Sequence, residues 1–427
     1  MTPKNPVESV QAGARIALLL DSLAGGGAER AMLNLAGAFV AMGHSVDLLV
    51  GDPEGALSNA VPANVRRLVL EPSSRSRGLR TALRRGHVPG MWRSLLRLGK
   101  LPSSFCYLDA LAKYLRTNAP DVLLALLPKA NINAVLASSV AGYRGRVILG
   151  AQNNLSAKMT RGTWFRRNVY WGLLPLMQAC YRRADAVISV SEGVGREVVG
   201  MLGVAPDHVH TIYNPIVNGS IQALSAQLTG HPWLDTGGVP VVLGIGRLVA
   251  QKDFGSLVRA FARLHEQRNA RLVILGGDES DEKQMRHKQE LIELAQQLGC
   301  AKDVDFVGFR NNPYAFLARA SVFVLSSSFE GFGNVLVEAL ACGCPVVSTD
   351  CLSGPAEILD GGRYGRLIPV GDSEGLAEAI AATLDEPRSS ERLRQRADEF
   401  TVDTSARKYC ELLLDGQGRC NATRAQP

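Results

Sequence analysis

Short β-branched or leucine-rich runs alternate with helix-period stretches along almost the whole chain, and this alternation leaves few folds open. A run that is apolar at nearly every position is buried on both faces, as happens to a strand in a parallel sheet covered by crossover helices. Runs at 15–20, 45–50, 65–70, 121–127, 146–150, 186–190 and 209–213 form one series. Runs at 239–245, 270–275, 304–307, 321–325, 345–348 and 366–369 form a second. The first series closes at Asn214-Pro215, and residues 220–238 hold no strand pattern. The expected organisation is an N-terminal domain over 1–219, a linker over 220–238 and a second domain over 239–396. A last helix over 397–414 is expected to pack back on the first domain, with a flexible tail over 415–427. The predicted class is α/β, with two Rossmann-like, doubly wound parallel-sheet domains.

Composition removes most other classes. Hydrophobic residues make up 46% and charged residues 20% of 427, which excludes disordered, collagen-like and coiled-coil chains. Nowhere do about 18 apolar residues run together, so no membrane span is expected. The run at 16–20 stops at Asp21, as a first buried strand does and a secretory signal does not, so the protein is expected to stay inside the cell. Eight cysteines are too few for a disulfide scaffold, and Cys342, Cys344 and Cys351 lack a neighbouring histidine to make a zinc site.

The net charge of +7 is concentrated: residues 66–100 hold ten basic residues against Glu71 alone. Arginines interleaved with leucines and Trp92 suit an anionic lipid surface, with Arg80, Arg84, Arg85 and Trp92 as the expected membrane contacts. A solvated arginine-rich loop and helix is the alternative. Nucleic acid is not expected as a partner, because no recognised motif accompanies the charge.

Two segments carry chemistry. Residues 326–340 read Ser-Ser-Ser-Phe-Glu-Gly-Phe-Gly-Asn-Val-Leu-Val-Glu-Ala-Leu, a buried strand running through a glycine turn into a helix. Such a turn lies at the carboxyl end of a strand, where ligands bind in open α/β sheets and a helix N-terminus favours an anion. Glu338, about one turn into the helix, is placed to accept hydrogen bonds from a vicinal diol such as a ribose, and Glu330 to face the ligand's other end. Taken alone, both acids also read as surface carboxylates at a helix start. The second segment, 241–254, is a strand and glycine turn followed by Arg247 and Lys252, two cations that suit a diphosphate.

Gly246-Arg247-Leu248 with Gln251-Lys252, then Glu330-Gly331-Phe332-Gly333 and Glu338, resembles the retaining nucleotide-sugar glycosyltransferases of glycosyltransferase family 4. Gly25-Gly26-Gly27-Ala28-Glu29-Arg30, Ser189-Val190-Ser191, Tyr213-Asn214-Pro215, Gly343-Cys344-Pro345 and Ser353-Gly354-Pro355-Ala356-Glu357 extend the resemblance over most of the chain. It implies the GT-B fold, two facing Rossmann-like domains with an interdomain cleft. It implies that Arg247 and Lys252 bind the donor diphosphate and stabilise its growing charge, that Glu338 holds the ribose, and that Glu330 contacts the transferred sugar. The N–H groups of Gly331, Phe332, Gly333, Asn334 and Val335 would meet the diphosphate and sugar, and Gly26 and Gly27 would approach from the other domain. The base would lie near Gly308 and Phe309. No metal or other cofactor is implied.

One departure stands out: many members carry a histidine after the strand at 146–150, where this chain has Gln152-Asn153-Asn154. Asn153 or Asn154 can hydrogen-bond a sugar or acceptor hydroxyl but cannot act as a base at neutral pH. This is compatible with same-face substitution, in which the leaving phosphate takes the acceptor's proton. Asp303-Val304-Asp305 starts a strand, the wrong end for a metal-binding triplet, and Gly244-Ile245-Gly246 lacks the third glycine of a dinucleotide fingerprint.

The expected activity is transfer of a hexose or N-acetylhexosamine from a nucleotide diphosphate sugar, UDP-sugar first, to a lipid-linked glycan or polysaccharide precursor. The expected place is the cytoplasm, peripherally on the inner face of the cell membrane. A nucleotide-sugar epimerase on the same fold, or a basic lipid-surface or nucleic-acid binding protein with a degenerate site, are the alternatives.

Overall fold

The computed structural model describes residues 13–85, 93–94, 103–160 and 164–414. The first sheet holds β1 (Arg15–Ser22), β2 (Ser45–Asp52), β3 (Arg66–Val69), β4 (Val122–Leu126), β5 (Arg146–Ala151), β6 (Ala186–Ser189) and β7 (Val209–Thr211). Its order is β3-β2-β1-β4-β5-β6-β7, every pair parallel. The second holds β8 (Val241–Ile245), β9 (Arg271–Leu275), β10 (Val304–Gly308), β11 (Val322–Leu325), β12 (Val346–Thr349) and β13 (Arg366–Ile368). Its order is β10-β9-β8-β11-β12-β13, again all parallel. The α/β expectation of two doubly wound domains is therefore met, and each of the thirteen strands falls on a run read from the sequence, the edge strands Arg66–Val69 and Val209–Thr211 being the least apolar.

Burial explains why those runs were apolar on both faces. Along β1, Ile16, Leu18 and Leu20 enter one buried cluster while Ala17 and Leu19 enter another on the opposite side of the sheet. In the second domain Val241 and Leu243 face one cluster and Val242 the other. One of these clusters runs without interruption from the first domain into the second, through Ile216, Phe332 and Phe400.

The chain crosses between domains twice, and the two crossings are hydrogen-bonded to each other. Ile216 and Val217 both donate to the carbonyl of Phe400 (3.1 and 3.0 Å), and Val402 donates to that of Val217 (2.9 Å). Residues 220–238 carry two short helices, Ser220–Ser225 and Pro232–Asp235. The last helix, Val402–Leu414, buries Ala406, Tyr409, Cys410, Leu413 and Leu414 against the first domain's Leu18 and Phe39. Arg146 of β5 ties its end by donating to the carbonyl of Leu412 (2.6 Å).

Arg80 is exposed on the helix Arg75–Arg85, which also carries Arg84 and Arg85. Trp92 and the tail at 415–427 lie outside the described residues. Among the described residues no helix is long and apolar enough to cross a membrane. The seven described cysteines are free thiols, and burial pushes Cys342, Cys344 and Cys351 up to about 12.

Candidate active site

The site grows from the carboxyl ends of β8 and β11. After β8 the chain passes Gly246 and Arg247 and makes a single turn over Ala250–Lys252. The Lys252 stem lies along Gly246, where a Cβ would sit 3.0 Å from its Cε. After β11, Ser326 donates its hydroxyl to the carbonyl of Lys252 (2.8 Å), and the Ser328 amide donates to the carbonyl of Gln251 (2.8 Å). Gln251 returns a bond from its side chain to the carbonyl of Phe329 (3.0 Å). These bonds knit the two motif segments together.

Their charged side chains meet as a result. Lys252 Nζ lies 2.6 Å from Glu330 Oε1, which also accepts from the Ser327 hydroxyl at 2.7 Å, and both partners are largely buried. Arg247 is exposed. Glu338 is 8% exposed one turn inside the helix Asn334–Ala341. Burial pushes its carboxyl above the ordinary range, while Arg30, the Tyr314 hydroxyl and Lys252 pull it back down. Gly308 closes β10 with a left-handed φ of 79°, and Phe309 beside it is exposed.

The turn ahead of Asn334 needs its glycine, since Gly333 sits at φ 103°. No side chain caps the helix it starts, so the first N–H groups of that helix are open to an anion. The helix Gly27–Ala41, opened by Gly26, is likewise uncapped by any side chain. The two uncapped ends face each other across the cleft: a Cβ on Gly27 would lie 2.8 Å from Asn334 Nδ2, which donates to the Gly27 carbonyl at 3.4 Å. Ser191, Asp253, Asp281, Asn312 and Asp372 cap their helices, whereas those starting at Leu108, Pro128, Ser220, Pro355 and Ser390 are also uncapped, so it is the facing of the two ends that sets this pair apart.

The cleft is docked along a seam of direct bonds. Asn214 Nδ2 donates to Asn334 Oδ1 (3.0 Å) and the Ser191 hydroxyl to the carbonyl of Gly331 (2.8 Å). Glu357 accepts the amides of Glu192 and Gly193 (2.8 and 3.1 Å), and Phe332 stacks on Tyr213 with ring centroids 5.2 Å apart. Asn153 is half-buried and lines a pocket with Gln152, Lys158 and Tyr170. Asn154 is buried: its Oδ1 accepts the Ala157 amide (2.8 Å) and its Nδ2 lies 3.3 Å from the Ser353 hydroxyl across the seam. Val335 is half-buried in the first turn of its helix. Asp303 lies 3.3 Å from the His265 ring and 4.0 Å from Arg271, and Asp305 shares a hydrogen bond with His231 (3.0 Å).

Three residues without a role in the sequence motifs stand near these groups: Arg30 and Tyr314 by Glu338, and Asp21 at the carboxyl end of β1 near Glu29. The signal for Asp21 was an acid ending an apolar run at the carboxyl end of β1. Burial raises its pKa from 3.8 to about 6, with Glu29 adding to the rise and Lys129 and the Ala130 amide opposing it. The folded form therefore holds a proton that the unfolded chain has lost, and its contribution to stability fades as pH rises from about 4 through 6. Asp21→Asn should be more stable than wild type by roughly 1–3 kcal/mol at pH 8, with the gap closing below pH ~4. Urea unfolding at both pH values checks this, and a gap indifferent to pH would contradict it.

Residues 233–400 match the family described as glycosyl transferases group 1, and residues 25–217 match Glycosyltransferase Family 4. The lipopolysaccharide core biosynthesis glycosyltransferase LpsE of Rhizobium meliloti is 31% identical over 303 residues, 70% of this chain and 77% of that protein. A Campylobacter jejuni N-acetylgalactosamine-N,N'-diacetylbacillosaminyl-diphospho-undecaprenol 4-alpha-N-acetylgalactosaminyltransferase is 30% identical over 243 residues, and the match spans 55% of this chain and 62% of that relative. Among solved structures, Anabaena HepE in complex with UDP-glucose superimposes with a TM-score of 0.71 at 22% identity, covering 94% of this chain and 99% of that one. At that identity the likeness shows the fold.

Proposed function

Because the chain belongs to the family-4 type of GT-B glycosyltransferases, we propose that it moves a hexose or N-acetylhexosamine from a nucleoside diphosphate sugar onto a lipid-linked glycan or polysaccharide precursor. The observation that carries this reading is the pair of uncapped helix ends facing each other at Gly27 and Asn334. Two converging positive helix ends suit a diphosphate leaving group better than any neutral ligand, with Arg247 and Lys252 after β8 as the expected cations. A UDP-sugar is favoured as donor, in keeping with the UDP-glucose held by HepE. The relatives' names, one a core lipopolysaccharide enzyme and one acting on a diphospho-undecaprenol glycan, support the acceptor class.

In this reading Arg247 and Lys252 take up the charge that grows on the diphosphate as the glycosidic bond breaks. Lys252 already holds Glu330, so the carboxylate expected to touch the transferred sugar and the cation expected to touch the phosphate are positioned by each other. Retention follows if the departing phosphate accepts the incoming hydroxyl's proton on the same face, a route that asks no base of Asn153 or Asn154. Protein cations supply the needed charge, so a chelator is expected to leave turnover largely intact. Transfer is proposed at the cytosolic face of the membrane.

A thermal-shift screen of nucleoside diphosphates tests the donor: a ligand at 100 times its Kd should add about 2.7 kcal/mol of stability. Absence of any shift across the common bases would remove the reading. An epimerase would instead yield product with no acceptor present. For the membrane, the protein should sediment with anionic vesicles at low salt and be released as salt rises, with Arg80, Arg84 and Arg85 changed to Glu binding less. Equal sedimentation of wild type and triple variant would assign the basic segment to solvent.

A further inference from the structure

The motif Tyr213-Asn214-Pro215, just beyond β7, has no place among the expected donor contacts, yet each of its residues is engaged beside the diphosphate site. Tyr213 stacks on Phe332 with ring centroids 5.2 Å apart, and Asn214 Nδ2 donates to Asn334 Oδ1 at 3.0 Å. Both partners belong to the glycine turn of the other domain. The carbonyl of Pro215 accepts from Asn34 Nδ2 (2.8 Å), two turns along the helix Gly27–Ala41. The motif is thus tied on one side to the helix that begins at Gly27 and on the other to the helix that begins at Asn334.

We propose that Asn214 and Asn334 are positioning residues whose linked amides fix the Gly27 helix end opposite the Asn334 helix end, and so set the width of the diphosphate site. The inference rests on the diphosphate reading of those two ends and adds to it the residues that hold them in register.

The amides have one arrangement that satisfies every bond in the chain. A carbonyl can only accept, so Asn334 turns Nδ2 toward the Gly27 carbonyl; its Oδ1 then faces Asn214, which must present its own Nδ2. The bond to Gly27 is long at 3.4 Å, whereas the bond from Asn214 has an ordinary length of 3.0 Å, so Asn214 decides where the Asn334 amide points. Asn214 is 3% exposed, too deep to touch a ligand in the docked cleft. Its Oδ1 is buried with no hydrogen-bond partner among the described residues. A buried acceptor left unpaired costs stability, so what Asn214 contributes is the placement of its neighbour.

Isothermal titration of the full-length protein with UDP, GDP, ADP and TDP, and with inorganic pyrophosphate, tests this beside urea unfolding. Asn334→Ala and Asn214→Ala should each weaken pyrophosphate and the nucleoside diphosphate that wild type binds by the same factor, roughly fivefold, as when one helix end moves away from an anion. The double variant should match either single within about twofold, because both act through one link. The urea midpoint of Asn214→Ala should hold or rise. Asn334→Asp keeps the acceptor for Asn214 but turns an oxygen toward the Gly27 carbonyl and adds negative charge between the ends. It should bind both ligands more weakly than Asn334→Ala, although an acid in the first helical turn favours the fold. It is also the second variant if Asn334→Ala fails to fold. Losses that multiply in the double variant would overturn the proposal, as would a loss confined to the nucleotide with pyrophosphate unchanged. Asn214→Ala binding like wild type while Asn334→Ala does not would make Asn334 a plain ligand contact and overturn it too. If wild type binds no nucleoside diphosphate, the donor site itself falls and this inference with it; normal wild-type binding with indifferent variants removes the linked amides alone.

Discussion

Alanine at Lys252 should lower turnover by a factor on the order of 100 or more, and alanine at Arg247 by a similar factor, because each removes a cation from the group that carries charge away in the transition state. The two variants should differ in stability. Lys252 is largely buried and holds the Glu330 carboxylate at 2.6 Å, so its loss leaves a buried charge with only the Ser327 hydroxyl and the distant Gln251 amide. That change is expected to destabilise the fold by roughly 1–3 kcal/mol or more. Arg247 is exposed, and its removal should leave stability within about 0.5 kcal/mol. Steady-state kinetics at saturating donor, read beside urea unfolding, separates the effects. Normal turnover in both single variants would take the diphosphate away from these residues.

The second large effect is expected from one methyl group. A Cβ on Gly331 would lie 2.1 Å from the carbonyl oxygen of Gln152 and 3.3 Å from Cα of Asn153, in the opposite domain. Both neighbours are backbone, so no side chain can rotate out of the way. Gly331→Ala must therefore hold the seam apart or move the turn that starts the Asn334–Ala341 helix, and either displaces the N–H groups from the Gly27 end. Misplacement by about 1 Å in such a site costs about 100-fold in rate. Activity should fall by at least that factor while circular dichroism stays native and small-angle scattering shows a more open particle. Gly219→Ala, with nothing within 4 Å of the added atom, is the control and should be silent. An active, compact Gly331→Ala protein would show that the seam is not part of the working state.

The inner strands are readable because a parallel sheet buries both their faces, so Ile16–Leu20 or Val322–Leu325 had to be apolar at every position, whereas the edge strands Arg66–Val69, Val209–Thr211 and Arg366–Ile368 are short and only partly buried. The two motif segments were readable for a related reason: each is local, a strand end followed by a few residues of glycine and charge. What stayed hidden depends on which distant turn lands opposite which. Tyr314 sits in an unremarkable Asn-Pro-Tyr stretch, and nothing in its neighbours announces that its helix packs beside Glu338. Arg30 lay in a motif noticed for its glycines, but its relation to Glu338 spans 308 positions and exists only once the domains dock. The Lys252–Glu330 pair was hidden in another way, since both were assigned to ligand groups and their bond to each other follows from the knitting of Gln251 and Ser328. Asn154 reads in sequence as a hydroxyl binder and in the structure spends its side chain on a helix end and on Ser353.

The paired crossings at Val217 and Phe400–Val402 constrain how the particle can breathe. A single connecting strand would let one domain swivel, whereas two segments clasped by three backbone hydrogen bonds resist torsion and leave bending as the soft coordinate. The domains should then part like the covers of a book about a fixed spine. Any two labels placed far from that spine would report the same opening angle. Breaking the clasp, rather than loosening the mouth, is what would let the covers twist and put the two helix ends out of register.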